Sequence, residues 1–216
     1  MAKIETYRQR YRNPGKAERY AKRFERGEHK RQDQREQKAV REIFAALPDC
    51  RSVLDVPSGA GRFLKTLAEE GRQVIEADVA FEMLEYARSQ AQRKGIAAQF
   101  LQVDASRLPL ANASVDAVFC NRLLHHILEI SQRAQFLREF HRVSRRYLVI
   151  SFFDYRALGA VRRALKRLKG AKPMDERQPS LEKFTQELTA TGWKLSLRVP
   201  TGPFWVSQKY LVLEKA

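Results

Sequence analysis

Asp55 stands four places before Gly59 and six before Gly61 in the run Val53-Leu54-Asp55-Val56-Pro57-Ser58-Gly59-Ala60-Gly61-Arg62. Residues of these types at this spacing are suited to holding a ligand. An apolar run ending in a carboxylate reads as a buried strand, the glycines as a turn, and the residues beyond as the start of a helix. Glycine lets the backbone take positive φ and approach a ligand closely, and a helix N-terminus favours negative charge. A strand–glycine loop–helix unit at the carboxyl end of a sheet suits an adenosine-type cofactor. The spacing argues against two common versions. A dinucleotide loop needs G-x-G-x-x-G, and Leu64 occupies the third glycine's place. A phosphate loop needs G-x-x-x-x-G-K-[ST], which the chain lacks.

Further acids follow at strand ends. Gln73-Val74-Ile75-Glu76-Ala77-Asp78 is a short apolar run closing on Asp78, whose carboxylate can accept both hydroxyls of a ribose. Val79-Ala80-Phe81-Glu82-Met83-Leu84 then opens a helix, and Phe100-Leu101-Gln102-Val103-Asp104-Ala105 ends a third strand. Ser114-Val115-Asp116-Ala117-Val118-Phe119-Cys120 reads as a fourth strand, running into Asn121-Arg122-Leu123-Leu124-His125-His126. A histidine near neutral pKa is a candidate general base.

These segments, in this order, resemble the motifs of the class I S-adenosylmethionine (SAM)-dependent methyltransferases, of the kind that act on ubiquinone, menaquinone and other small molecules. The first run matches D/E-x-x-x-G-x-G. Asp78 to Leu84 matches D-x-S-x-x-M-L with Ala80 in place of serine. Asp104 with Leu108-Pro109-Leu110 matches the acid and following L-P-F, and Ser114 to Val118 matches S-F-D-x-V. The resemblance covers about residues 37–155 well. It implies that Asp55, Pro57, Ser58, Gly59 and Gly61 form the loop at the methionine end of SAM and that Asp78 with Val79 holds the ribose. Met83, Asp104 and Ala105 meet the adenine, and Asn121 borders the methyl. Arg122, Tyr155, Arg156 and Tyr20 fall on the substrate side, with His125 and His126 as catalytic candidates. Pro57 replaces a commoner glycine, which stiffens the loop and removes one donor. The implied cofactor is SAM, with no metal.

The elements that must position these residues alternate strand and helix. Strands are expected at about 52–56, 73–77, 98–103, 115–120 and 146–152. The tail, 193–199 and 206–213, alternates like an antiparallel pair joined by Thr201-Gly202-Pro203. This predicts an α/β fold, a doubly wound, seven-stranded, mostly parallel sheet of the Rossmann-like methyltransferase type. Residues 1–47 read as a basic helical N-terminal extension or lid, broken at Asn13-Pro14-Gly15, with Val40, Ile43, Phe44 and Leu47 on one face of a helix over 34–47. Residues 48–216 form the methyltransferase domain, with a basic amphipathic helical insertion at about 156–172.

The chain has 216 residues and a formal net charge of +16. The excess is local. Residues 1–47 hold 14 basic and 7 acidic side chains, and residues 138–172 hold 11 and 2. A partner or substrate accounts for this better than the cofactor does. Cys50 and Cys120 match no metal-ligand spacing and suggest no disulfide, so a reducing cytoplasm is expected. The polar, basic start does not read as a signal peptide, and no run is long and apolar enough for a membrane span.

The expected function is methyl transfer from SAM to oxygen or carbon of a small-molecule or lipid-linked, anionic acceptor. The expected place is the cytoplasm or, peripherally, the anionic inner face of the membrane. Two alternatives stand beside it. One is an RNA methyltransferase, favoured by the charge and disfavoured by the lack of D/N-P-P-Y/F after the fourth strand. The other is a non-catalytic SAM-binding or membrane-surface regulatory protein.

Overall fold

A computed structural model describes residues 14–47, 49–154, 179–203 and 206–216. Helices α1 (Pro14–Lys22) and α2 (Gly27–Ala45) precede strand β1 (Ser52–Asp55). The short helix α3 (Leu64–Leu67), β2 (Gln73–Asp78), α4 (Phe81–Arg93), β3 (Gln99–Gln102) and β4 (Val115–Cys120) follow. Helix α5 (Ile130–Val143), β5 (Ser144–Phe153), α6 (Leu181–Thr189), β6 (Trp193–Pro200) and β7 (Gln208–Lys215) follow among the described residues. The strands form one seven-stranded sheet in the order β3-β2-β1-β4-β5-β7-β6. Strands β1 to β5 are parallel, and β7 runs antiparallel to both β5 and β6.

The central strands are apolar on both faces, as a parallel sheet covered by helices requires. Their period of two divides the core cleanly. Leu54, Val118, Leu148, Ile150, Leu211 and Leu213 pack towards α5 and α6, against Phe136, Phe140, Phe184 and Trp193. Val53, Val74, Ala117, Phe119, Val149 and Val212 pack on the other face, against Val40, Ile43 and Phe44 of α2 and Leu64 and Leu67 of α3. The chain winds outward from β1 in both directions, so β1 and β4 flank the switch point where a ligand crevice opens.

The amino end of that pair is locked by one side chain. Asp116 Oδ2 accepts from the Arg51 and Ser52 amides and from Ser52 Oγ. This fixes β4 against β1 before either reaches the crevice. The other end of the sheet owes its shape to Arg133 on α5, which is almost wholly buried. Its guanidinium makes two bonds of 2.7 Å to the Glu187 carboxylate on α6 and also donates to the Ile127 and Leu128 carbonyls. It thereby holds the segment that follows the histidine pair.

Pro14 opens the first described helix, which its fixed φ favours at the first helical position, and the residues before it lie outside the described ones. A further break falls at the 3-10 turn Arg23–Glu25 and the extended Arg26. One local expectation is corrected. The helix expected over 34–47 begins at Gly27, because the polar residues 27–35 continue the same helical path. The expected basic helix at 156–172 lies outside the described residues.

Removing one partner of a buried, bidentate ion pair leaves the other charge uncompensated. Arg133→Ala is therefore expected to cost about 3–5 kcal/mol, seen as a lower urea midpoint with an unchanged m value.

Candidate functional site

The glycine loop crosses the carboxyl end of the sheet between β1 and α3. Val56 N–H donates to the Phe119 carbonyl of β4, and Ser58 N–H donates to the Ala77 carbonyl of β2. Gly59 and Gly61 both have positive φ, +56° and +70°. A Cβ on Gly61 would stand 2.9 Å from Ala87 Cβ, so this position needs glycine for both torsion and space. The helix beyond the loop has only four residues. The expected contribution of a helix N-terminus to anion binding is therefore absent from the described loop, which exits through a turn.

Beneath the loop lie three buried carboxylates. Asp55 is register partner of Glu76 on the adjacent parallel strand, and Glu76 and Asp78 share one face of β2. Asp55, Glu76 and Asp78 are each no more than 1% exposed. Asp78 is tied down. Its Oδ2 accepts from the Gly59 amide at 2.8 Å and its Oδ1 from the Ala80 amide at 2.9 Å. It thus couples the loop to the start of α4. No hydrogen bond of good geometry reaches the four oxygens of Asp55 and Glu76, and Ser58 Oγ makes none. Burial pushes the Asp55 carboxyl well above the usual range. Arg62 pulls it back and Asp78 pushes it further up. Burial, then the charge of Asp55, raises Glu76 in the same way, with the Ser58 hydroxyl opposing. Burial also raises Asp78, against the Ala80, Gly59 and Val79 amides that stabilise its ionised form.

The cation above these acids is Arg62, the residue after the second glycine. Its guanidinium lies 4.5 Å from the Phe24 ring and 4.2 Å from the Phe63 ring. It pairs with Asp33 at 2.7 Å and with the wholly buried Glu36, both on α2. Gln37, one residue on, donates to the Arg62 carbonyl at 2.8 Å. Tyr20 of α1 stacks edge-on to Phe24 and reaches within 3.9 Å of a Cβ built at Gly59. The N-terminal helices therefore lie directly on the loop, with Tyr20 over it as a lid would be.

The other expected cofactor residues separate into two groups. Val79 and Asp104 line a cleft of about 380 Å³ with Ala80, Phe81, Glu82, Gln102 and Val103. Asp104 Oδ1 accepts from the amide and hydroxyl of Ser106, which orients it. Half of the Phe81 surface is exposed at the cleft. Met83 is buried elsewhere, with Ala17, Ala60 and Ala80, and Ala105 is buried in the main core. Neither side chain lines the cleft. Pro57 follows Val56 through a cis peptide bond.

On the substrate side, Asn121 Oδ1 accepts from the Tyr210 hydroxyl at 3.2 Å. Arg122 has positive φ, and its amide donates to Ser151 Oγ at 2.7 Å. Its guanidinium, expected to face substrate, is engaged by Glu36, which so binds two arginines. His125 and His126 sit in a 3-10 turn with ring centroids 3.9 Å apart, and Phe153 lies 4.6 Å from His125. Burial, then the nearby charges of His126 and Arg122, lowers the His125 pKa to about 3. His125 is neutral at physiological pH and a weak base. Tyr155 and Arg156 lie outside the described residues.

Glu36, Arg62 and Glu76 were not among the expected site residues. Their signal was positional. Glu36 falls four residues before Val40 and seven before Ile43, on the apolar stripe of α2. Glu76 alternates with Val74 on a buried strand face.

The comparisons with known proteins agree with this geometry. The family model described as a methyltransferase domain matches residues 54–150. A malonyl-[acyl-carrier protein] O-methyltransferase of Hamiltonella defensa is 31% identical over 132 residues, 61% of this chain and 46% of that protein. A demethylmenaquinone methyltransferase of Deinococcus radiodurans is 42% identical over 84 residues, 38% of this chain and 34% of that protein. The chain thus spans less than half the length of these relatives. The crystal structure of magnesium protoporphyrin IX methyltransferase from Synechocystis PCC 6803 with bound SAH superposes with a TM-score of 0.75. It is 19% identical, covering 98% of this chain and 99% of that one. Residues 54–150 thus match a methyltransferase domain, and the fold over nearly the whole chain is that of the magnesium protoporphyrin IX methyltransferase structure.

Two pH effects follow, with opposite signs. Glu76 has its pKa raised on folding, so its contribution is favourable below the ordinary carboxylate range and is lost as pH rises. Glu76→Gln is expected to raise the melting temperature of the ligand-free protein at pH 7.5 and to flatten its decline from pH 5, at about 2–4 °C per kcal/mol. His125 has its pKa lowered from 6.5 to about 3, so stability falls as pH drops through that window. His125→Phe is expected to lessen the loss, as read by melting curves at pH 4 to 7.

Proposed function

We propose that this methyltransferase domain transfers the methyl group of SAM to an oxygen or carbon of a small-molecule or lipid-linked, anionic acceptor. The observation that carries the reading is a convergence at the β1–β4 switch point. The glycine loop, the acids under it, the Asp104 cleft and the Asn121-to-His126 segment all meet at the carboxyl end of one sheet. The residues suit SAM. Ser58 Oγ and the Asp55 and Glu76 oxygens are buried without partners, and two positive-φ glycines leave the loop backbone open to close approach. In this reading Gly59, Gly61, Ser58 and Asp55 hold the methionine end, Asp78 and Val79 the ribose, and Asp104 the adenine. Tyr20 closes over the loop.

When bound, SAM supplies a methyl carbon on a sulfonium, and the acceptor forms its bond to that carbon as the C–S bond breaks and sulfur keeps the electron pair. The protein must then align the acceptor and exclude water. His125 supports a particular acceptor chemistry. A histidine held neutral, with a conjugate acid near 3, is a poor acceptor for a hydroxyl's proton. It suits an acceptor acidic enough to arrive ionised, which it orients by hydrogen bonding. The exposed His126 beside it is the group open to solvent for any proton that must leave. The name of one relative, a malonyl-[acyl-carrier protein] O-methyltransferase, accords with a carboxylate acceptor.

RNA methylation draws support from the net charge of +16. Several arginines near the core are engaged internally, however. Arg62, Arg122, Arg133 and Arg142 all pair with carboxylates.

The test is to incubate the protein and methyl-labelled SAM with an extract of cells that lack it, then separate lipid, small-molecule, protein and RNA fractions. Label in the lipid or small-molecule fraction is expected, and label confined to RNA rejects the proposal. Asp78→Ala is expected to weaken SAM binding by about 1–3 kcal/mol through loss of a buried acceptor. Calorimetry showing unchanged affinity would remove the ribose assignment.

A further inference from the structure

Glu76 is a buried acid that none of the expected ligand contacts uses. It stands next to Asp55 across two parallel strands, which lie about 4.8 Å apart. Both side chains lie on one face of the sheet, directly under Gly61, where a Cβ would come within 3.4 Å of Glu76 Oε2. No hydrogen bond of good geometry reaches any of their four oxygens, although the Ser58 hydroxyl is near enough to act on Glu76. Two adjacent carboxylates cannot both stay ionised in such a place without cations to balance them.

The surrounding groups are few. Asp78 on β2 is a third carboxylate, held by the Gly59 and Ala80 amides. Arg62 in the loop draws Asp55 down but is itself paired with Asp33 and Glu36 of α2. From α4 the neighbour is apolar Ala87. From β4 and β7 the neighbours are the Cys120 thiol and the Tyr210 hydroxyl, both neutral, whose pKa values burial and Asp55 raise. Ser58 Oγ, at least nine-tenths buried and unpartnered, belongs to the loop directly above.

We infer that Asp55 and Glu76 share one proton while the site is empty and release it to solvent when the cationic methionine end of SAM docks over them, which makes Glu76 a residue that recognises the charge of the cofactor. The inference rests on the SAM-dependent reading above. Burial and mutual repulsion favour the shared proton. The positive charge of SAM replaces it as the balancing charge. SAH, without the sulfonium, balances less, so the product is held less firmly than the substrate. Proton release on binding makes SAM affinity rise with pH, by up to about ten-fold per pH unit for one proton.

The experiment is titration calorimetry of the whole chain with SAM and with SAH at pH 6, 7 and 8, in buffers of different ionisation enthalpy. The wild type is expected to release a fraction of a proton with SAM and less with SAH, and to bind SAM more tightly at higher pH. Glu76→Gln keeps the shape, and its folding is checked by melting. It is expected to lose most of the proton release and of the pH dependence, and to narrow the SAM-over-SAH preference. Asp55→Asn is the second variant and should lose the release in the same way. Comparing variants with the wild type cancels any proton exchanged by the ligand's own amino group. SAM binding by the wild type with no proton release, or equal release by Glu76→Gln, overturns the inference and leaves the cofactor reading intact. A wild type that binds neither SAM nor SAH overturns the cofactor reading and the inference with it.

Discussion

The constraint that organises this site is the burial of negative charge under a glycine loop. Asp55, Glu76 and Asp78 sit side by side at the ends of two strands, each out of water. Isolated buried carboxylates are costly, so each must find a donor, a cation or a proton. Asp78 finds two amides and in doing so fixes the loop. Arg62 draws Asp55 down, but a buried arginine needs partners of its own. Asp33 and Glu36 supply them from α2, and Phe24 and Phe63 flank its guanidinium. The N-terminal helices are thus part of the electrostatic structure of the loop and more than a cover for it.

The same logic links the loop to the substrate side. Glu36 binds Arg122 as well as Arg62, so one carboxylate on α2 touches the segments after β1 and after β4. These are the two strands that flank the crevice. A displacement of α2 would release both arginines at once and leave Glu36 uncompensated. The histidine turn is held from the opposite side by Arg133, which binds the carbonyls of residues 127 and 128 and the Glu187 carboxylate. The crevice is therefore framed by charged pairs on both sides.

Much of this was legible in the sequence because it follows from local patterning. Apolar runs ending in acid placed β1 and β2, and the strand expected at about 146–152 starts two residues after the observed start of β5 at Ser144. The alternating tail gave the antiparallel pair. What was not legible depends on contacts between distant segments. Arg122 has the sequence position of a substrate contact, yet its charge is taken by a residue 86 positions away. Met83 has the position of an adenine contact, yet it packs with α1 because Ala17 and Ala60 leave room there. Glu36 and Glu76 were visible only as charges at apolar positions in their patterns. Such violations of patterning mark places where another requirement outweighs burial cost.

The sign of the charge also narrows the ligand. Nucleotide sites built on glycine loops place phosphate at a helix N-terminus, where amides and dipole favour an anion. Here the helix after the loop is a single turn, and three acids lie below. A pyrophosphate would meet repulsion from Asp55, Glu76 and Asp78, while Arg62 is neutralised by α2. A ligand with an adenosine moiety and a positively charged end meets the opposite field. In the proposed reading the adenosine end takes the open cleft by Asp104 and the cationic end lies over the acids. The missing third glycine, the short helix and the buried Glu76 are thus independent features that disfavour phosphate at the loop and agree with the inferred recognition of a cation.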